Sequence, residues 1–388
     1  MPCRLEPKTI IETAHKPFKV SFFTNYEGDR QYSMLRYADE LQASLRQFCG
    51  SLCEIHRYAP RYDGKSTSET LSRWKKYFEN PYLALRHKGP VNHIADHGNS
   101  HLVNFLPHDR TIVTCHDLIP LRLADRLKGI SKRGRYSFWC KVVHMRSAAC
   151  IMADSESTRR DVITLLGIPS KRVHVVYLGL KLEDFSPLKK SESKEQLKQQ
   201  FKFSWPLTLL HVGAAAFYKN LEGVIDTLGS LRDKHHLDIH LVRMGSPLPE
   251  TLRELISRRR LDSFVHDIQV KSDVELRGLY LASDVLLFPS WWEGFGWPPL
   301  EALACGVPVI ASPRGSLPEI TGSAALQVDP EDLDGMAGAV RRVLEDQTLR
   351  GQLREAGFGQ ASKFQWQKTA EQTAQLYRTV SQEAGGDL

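Results

Sequence analysis

The residues best suited to chemistry lie in one stretch, Ser290-Trp-Trp-Glu-Gly-Phe-Gly-Trp-Pro-Pro-Leu-Glu301. An apolar run, 284–289, reads as a strand that ends at Ser290. Gly294 and Gly296 then form a turn whose backbone can approach a ligand closely. Pro298 and Pro299 suit the first turn of a helix, where their missing N–H groups cost little, and Gly306 ends that helix. A helix N-terminus opening on a cleft favours phosphate through its unpaired N–H groups and its dipole. Glu301, one turn inside, would repel a phosphate at close range. It suits a vicinal diol instead, accepting two hydroxyl hydrogen bonds from a ribose. Glu293, before the glycines, would stand at the mouth, near a sugar. A lone first-turn glutamate usually only complements the dipole. Two of them flanking Gly-Phe-Gly point to binding.

The elements that must position these residues follow from the rest of the chain. Its 388 residues suffice for two domains. Short apolar runs alternate with helix-like stretches, which predicts a parallel α/β architecture. The expected strands are 18–24, 51–56, 91–95, 111–115, 148–153 and 173–177, then, after a polar lysine-rich link at 181–205, 208–212, 240–243, 284–289 and 307–311. The fold expected is two doubly wound Rossmann-like domains facing each other across a cleft. The organisation is a polar lead at 1–16, a first domain at 17–185, a second at 186–365, and a last helix, 366–388, packing back on the first.

Here the chain resembles a known family. The retaining family 4 glycosyltransferases, of GT-B fold, carry two glutamates separated by seven residues in the form E-G-F-G-x-P-x-x-E, and Glu293 to Glu301 matches this pattern. The likeness continues through Ala302 to Ala311, Gly315-Ser-Leu-Pro-Glu319 and, upstream, Leu279 to Asp284. The resemblance implies that Glu301 holds the nucleotide ribose and that Glu293 acts on the donor sugar with the loop N–H groups of Phe295 and Gly296. Leu300 belongs to the same donor-binding set, and the nucleobase would lie near Val270. Lys219, after the first strand of the second domain, matches a basic residue that binds pyrophosphate. Members often carry two basic residues there; this chain has Tyr218 before Lys219 and alanines at 214–216. Arg243 is the candidate for the second cation, with a core-edge role open beside it.

In the first domain, His116-Asp117-Leu118 ends a strand. The resemblance places a histidine there against the transferred sugar, so His116 is the second catalytic candidate. Tyr26, in the loop after the first strand, and His97 are expected on the acceptor side. His93, His97 and His101 have helical metal spacing, but Gly98-Asn99 breaks a helix and a metal site is not expected. Asp332-Leu-Asp334 follows Asp329-Pro330 at a helix start, where acids cap. Gly64-Lys65-Ser66 lacks the first glycine of a phosphate loop, since Ala59 stands there.

The net charge of +7 is moderate. Between Arg122 and Arg146 eight basic residues face one acid, Asp125, which reads either as a solvated helix face or as a site for anionic lipid or a diphosphate-linked lipid acceptor. Seven cysteines, an odd count without paired spacing, suit a reducing cytosol. No run is long enough to cross a bilayer and the N-terminus has no apolar signal core, so the expected location is cytoplasmic, with peripheral contact at the inner membrane face open. The expected activity is a retaining, metal-independent hexosyl transfer in cell-surface polysaccharide synthesis. No cofactor is expected, because the nucleotide sugar (GDP-mannose or a UDP-sugar) is a substrate, and the acceptor is a glycan or lipid-linked saccharide. Mannose is the first expectation, because His-Asp-Leu with this glutamate motif is similar to mannosyltransferases of polysaccharide assembly. An epimerase or hydrolase of the same fold, or an inactive sugar-nucleotide binder, is the alternative.

Overall fold

A computed structural model describes residues 17–29, 31–62, 64, 68–123 and 131–385. The lead at 1–16 and Asp125, Arg126 and Lys128 of the basic segment lie outside the described residues. Among the described residues twelve strands form two parallel six-stranded sheets. The first has the order β2-β1-β3-β4-β5-β6, with β1 Phe18–Phe23, β2 Cys53–Tyr58, β3 Val91–Ile94, β4 Thr111–Cys115, β5 Cys150–Ala153 and β6 Val173–Val175. The second has the order β12-β11-β10-β7-β8-β9, with β7 Leu207–Val212, β8 Ile239–Met244, β9 Val265–Ile268, β10 Val285–Phe288, β11 Val309–Ala311 and β12 Ala325–Gln327.

Helices cover both faces of a parallel sheet, so its central strands are apolar runs rather than alternating ones. All five residues of β4 and all four of β3 and β10 are buried. β9 and β12 were not expected. Each lies at a sheet edge and is only partly buried, so neither needs a continuous apolar run.

One apolar core runs from the first half into the second through Tyr37, Leu41, Phe185, Tyr280, Trp366 and Tyr377. The last helix, Trp366–Glu383, lies against the Tyr32–Cys49 helix of the first half, and Tyr377 reaches His93 on β3 at 2.6 Å. The chain crosses between halves at 179–180 and again at 364–366, where Leu180 N–H donates to the Phe364 carbonyl at 3.0 Å. A Cβ on Gly179 would stand 2.4 Å from the Trp366 nitrogen, so the two crossings touch backbone to backbone.

Candidate functional site

The site is built where the carboxyl ends of the strands of both sheets meet, the position at which open α/β sheets bind ligands. After β10 the chain turns through Gly296, at φ +115°, into the helix Trp297–Cys305, which Gly306 closes at φ +76°. Among the described residues nothing accepts from the N–H groups of Phe295 and Gly296, which leaves them for a ligand. Phe295 and Leu300 are themselves buried, and their side chains fix the turn rather than line it.

Glu301 is 2% exposed and faces the other half of the molecule. Its Oε1 accepts from Arg36 Nη1 of the Tyr32–Cys49 helix at 2.6 Å, and its Oε2 from the Tyr280 hydroxyl at 2.8 Å. The Arg36 guanidinium also lies over the Trp297 ring at 4.9 Å. Burial by itself would lower the Arg36 pKa, but the Glu301 carboxylate outweighs it and raises it.

Glu293 and Lys219 are brought together. The ammonium donates to Glu293 Oε1 at 2.7 Å, with both side chains largely buried. Lys219 closes a short turn after β7, and Asn220, at φ +54°, lets the chain enter the next helix while capping it at Gly223 N. The Tyr218 carbonyl accepts from Trp291 N–H at 2.7 Å, tying this turn to the glutamate loop. Gly213 and Gly245 end β7 and β8 in direct contact. A Cβ on Gly245 would be 1.8 Å from the Gly213 carbonyl oxygen.

Arg243 is 1% exposed at the end of β8. Its Nε donates to Asp267 at 2.6 Å and its Nη2 to the Ser246 carbonyl, while Nη1 is buried without a partner among the described residues. That orphan nitrogen lies 3.2 Å from where a Gly245 Cβ would be, beside the two glycines. Val270 is partly buried and packed against the core that joins the two halves.

The first half supplies a different arrangement from the one expected. His116 is buried, with Nδ1 2.6 Å from Asp154 Oδ2 and Nε2 2.9 Å from the Ala95 carbonyl. Burial pulls its pKa down, but the charges of Asp154 and then Asp96 prevail and hold it up at about 9. Both ring nitrogens are thus engaged inside its own half, Nε2 donating to the Ala95 carbonyl and Nδ1 paired with Asp154, with no nitrogen left for a substrate. What His116 turns towards the second half is its carbonyl: a Cβ on Gly294 would stand 1.9 Å from it. His97 Nδ1 accepts from the His116 N–H at 3.3 Å, and its side chain is buried. Tyr26 is 3% exposed, edge-on to Tyr62. His93 and His101 turn to other partners, Thr114 with Tyr377 and the Lys76 carbonyl, so the histidine triplet does not converge. Asp332 caps Gly335 and Asp334 pairs with Lys234.

Several residues that join the halves carried no separate signal. Ser155 and Thr158 hydroxyls donate to the Gly294 carbonyl at 2.6 and 3.2 Å. Glu319 accepts from the N–H groups of Glu156 and Ser157, both at 2.9 Å, capping the helix Glu156–Leu166 from the opposite half. Trp292 Nε1 donates to Asp161 at 3.2 Å.

Comparison with known proteins agrees with this architecture. The family model for Glycosyltransferase Family 4 matches 36–184 and that for group 1 glycosyl transferases matches 192–360. The chain is 29% identical over 282 residues to the O-antigen chain mannosyltransferase B of Escherichia coli, covering 71% of this chain and 72% of that one. It is 29% identical over 296 residues to the serotype-specific mannosyltransferase WbdA of Escherichia coli, and there it spans only 35% of the longer relative. Among solved structures, sucrose-phosphate synthase from Thermosynechococcus elongatus superposes with a TM-score of 0.73 at 20% identity, covering 94% of this chain and 99% of the other. HepE of Anabaena, in complex with UDP and glucose, superposes with a TM-score of 0.71 at 15% identity, covering 93% and 99%. Two parallel sheets joined at a cleft, a family model on each, and a glutamate loop between them make this chain a family 4 glycosyltransferase of GT-B fold.

Proposed function

We propose that the chain transfers mannose from GDP-mannose to a growing saccharide of the cell surface, retaining the anomeric configuration and using neither metal nor cofactor. The observation that carries the reading is Glu301, buried one turn inside a helix that starts directly after the unpartnered N–H groups of Phe295 and Gly296, between the two sheets. The names of the relatives, mannosyltransferases acting on O-antigen chains, support mannose and a saccharide acceptor.

The diphosphate would occupy the helix mouth, between Lys219 and the Gly213–Gly245 contact, with the Arg243 Nη1 as second cation. The ribose diol would share Glu301 with Arg36 and Tyr280, since each carboxylate oxygen has room for more than one donor. Glu293, with the N–H groups of Phe295 and Gly296, would hold the sugar hydroxyls. As the bond from the anomeric carbon to phosphate breaks, negative charge grows on the departing diphosphate. Lys219 and the helix dipole then stabilise the transition state more than the ground state. Both His116 nitrogens are already engaged, by Asp154 and the Ala95 carbonyl, so the proton of the acceptor hydroxyl goes to the departing phosphate oxygen as the new carbon–oxygen bond forms. His116 acts by holding the first half against Gly294, which keeps competing water out.

Thermal shift against a panel of nucleoside diphosphates, followed by donor turnover with and without saccharide acceptor, tests the reading. GDP should raise Tm, and turnover should require the acceptor. Equal turnover without acceptor would mean a hydrolase or epimerase, and no shift with any diphosphate would end the proposal.

A further inference from the structure

Beyond the cleft, residues 69–86 form one unbroken helical rod. Glu69–Trp74 and Asn80–Arg86 are α-helical, and a wider π turn, Lys75–Glu79, joins them through helical backbone at Lys75 and Asn80. The wide turn has a local cause. Pro81 would clash with the carbonyl four residues earlier in a regular α-helix, and the extra residue relieves it.

The rod buries Asn80, Pro81 and Ala84. On its outer side it leaves Leu71 40%, Trp74 51%, Phe78 66%, Tyr82 57% and Leu85 51% exposed. Those residues are three or four apart, the spacing of a single helix face. Scattered exposed apolar side chains are ordinary, but a continuous aromatic stripe on one helix is not.

The charges along the rod and just past it are mostly positive. Within residues 69–88, Arg73, Arg86 and Lys88 are exposed against one exposed acid, Glu69, because Glu79 is taken up by Lys75 at 2.6 Å. A second basic helix, Lys132–Val142, exposes Lys132, Arg133, Arg135 and Lys141 together with Tyr136, and contains no acid. Both helices brace the same segment, His97–Phe105: His101 Nε2 lies 3.0 Å from the Lys76 carbonyl, and the Ser100 hydroxyl donates to the Lys141 carbonyl. The described part of the basic stretch singled out in the sequence thus flanks the aromatic one.

We propose that the 69–86 rod docks this protein on an anionic lipid bilayer. Leu71, Trp74, Phe78, Tyr82 and Leu85 enter the headgroup boundary while Arg73, Arg86 and Lys88, with the basic helix alongside, meet lipid phosphates. Aromatic residues prefer that boundary because one face can be apolar while a polar tip stays wet. A basic rim adds attraction that salt screens. Ser72 hydrogen-bonds Asp29, and the Lys75 ammonium lies 5.9 Å from the Tyr26 ring, so the rod adjoins the loop read above as acceptor-side. Docking would present that loop to a lipid-linked saccharide. This last step rests on the proposed function; the docking itself does not.

Sedimentation of the full chain with vesicles of phosphatidylglycerol in phosphatidylcholine, against phosphatidylcholine alone, tests it. Binding should require the anionic lipid and fall steeply with salt. Trp74→Ser/Phe78→Ser/Tyr82→Ser should weaken it by at least about tenfold, and Arg73→Glu/Arg86→Glu/Lys88→Glu should abolish the preference for anionic vesicles. Both variants should keep the wild-type Tm increase with nucleoside diphosphate, which shows that they are folded and that the donor site is independent. Wild-type protein that stays in the supernatant, or triple-serine protein that binds like wild type, overturns the proposal. So does a wild-type dimer in lipid-free solution that the serine substitutions dissociate, since the stripe would then face a second copy of the chain.

Discussion

Glu301 offers the sharpest test, because an observed role and a proposed one can be separated at it. It accepts a charge-assisted hydrogen bond from Arg36 across the gap, at 2.6 Å, and it is proposed to hold the ribose. Removing one partner of a buried ion pair costs about 3–5 kcal/mol. The Arg36 side chain keeps 25% of its exposure, so a loss nearer ~2 kcal/mol is expected in Glu301→Gln. Arg36→Gln breaks the same pair and should cost about as much. Only Glu301→Gln should also weaken nucleotide binding, since the amide keeps one acceptor oxygen and loses one of the two hydroxyl hydrogen bonds to the carboxylate, a loss of about 1.5–3 kcal/mol, or roughly 10- to 150-fold in Kd. Calorimetric titration of GDP into both variants, beside denaturant melts of each, separates the two effects. If both variants lose the same stability and both keep wild-type Kd, Glu301 is only a strut for Arg36 and the ribose assignment fails.

Three further outcomes follow from the geometry. Lys219→Gln should lower kcat by about 10²–10³-fold with a smaller effect on the KM for donor, because the ammonium is needed most as the diphosphate departs; steady-state kinetics read this directly. Gly294→Ala should cost about 3 kcal/mol or more and reduce turnover, since the new Cβ would lie 1.9 Å from the His116 carbonyl oxygen, and a Tm and kcat measurement on the purified variant decides it. The His116 pKa is raised from its ordinary 6.5 to about 9 in the folded state, so the stability it contributes is complete below about pH 6.5 and is lost as pH rises through about 9. Wild-type Tm should fall over that alkaline window, and Asp154→Asn, lacking the carboxylate, should start lower and change less across it.

The fold was readable where burial forces an apolar run. β3, β4 and β10 are buried along their whole length and stood out as such, whereas β9 and β12 are edge strands with polar residues and did not. The glutamate loop was readable because its glycines are demanded by backbone geometry. Gly296 adopts φ +115°, and Gly294 has no room for a side chain against the first half. The hydrogen-bond partners of those residues were not readable. Arg36 lies on an amphipathic helix 265 positions before Glu301, and nothing in its neighbours distinguishes it from a solvated arginine. His116 illustrates the same limit from the other side. Its place at the end of β4 is visible in the sequence, but whether its nitrogens face a substrate depends on Asp154 and Ala95, which only the folded sheet brings beside it.

These cross-gap contacts also explain why one short loop must satisfy several demands at once. The Gly294 carbonyl accepts from Ser155 and Thr158, its Cα abuts the His116 carbonyl, and the neighbouring Glu293 holds Lys219. The segment that is to grip the donor is therefore the segment that seals the two halves. Both glutamates of the loop are paired with cations, Glu301 with Arg36 and Glu293 with Lys219. On the proposed function, a diphosphate arriving at Lys219 would compete with Glu293 for the same ammonium and free that carboxylate for the hydroxyls of the sugar attached to it. Donor recognition is then an exchange of partners rather than the neutralisation of bare charges, and the desolvation cost of the buried ions has been met in folding before any substrate binds.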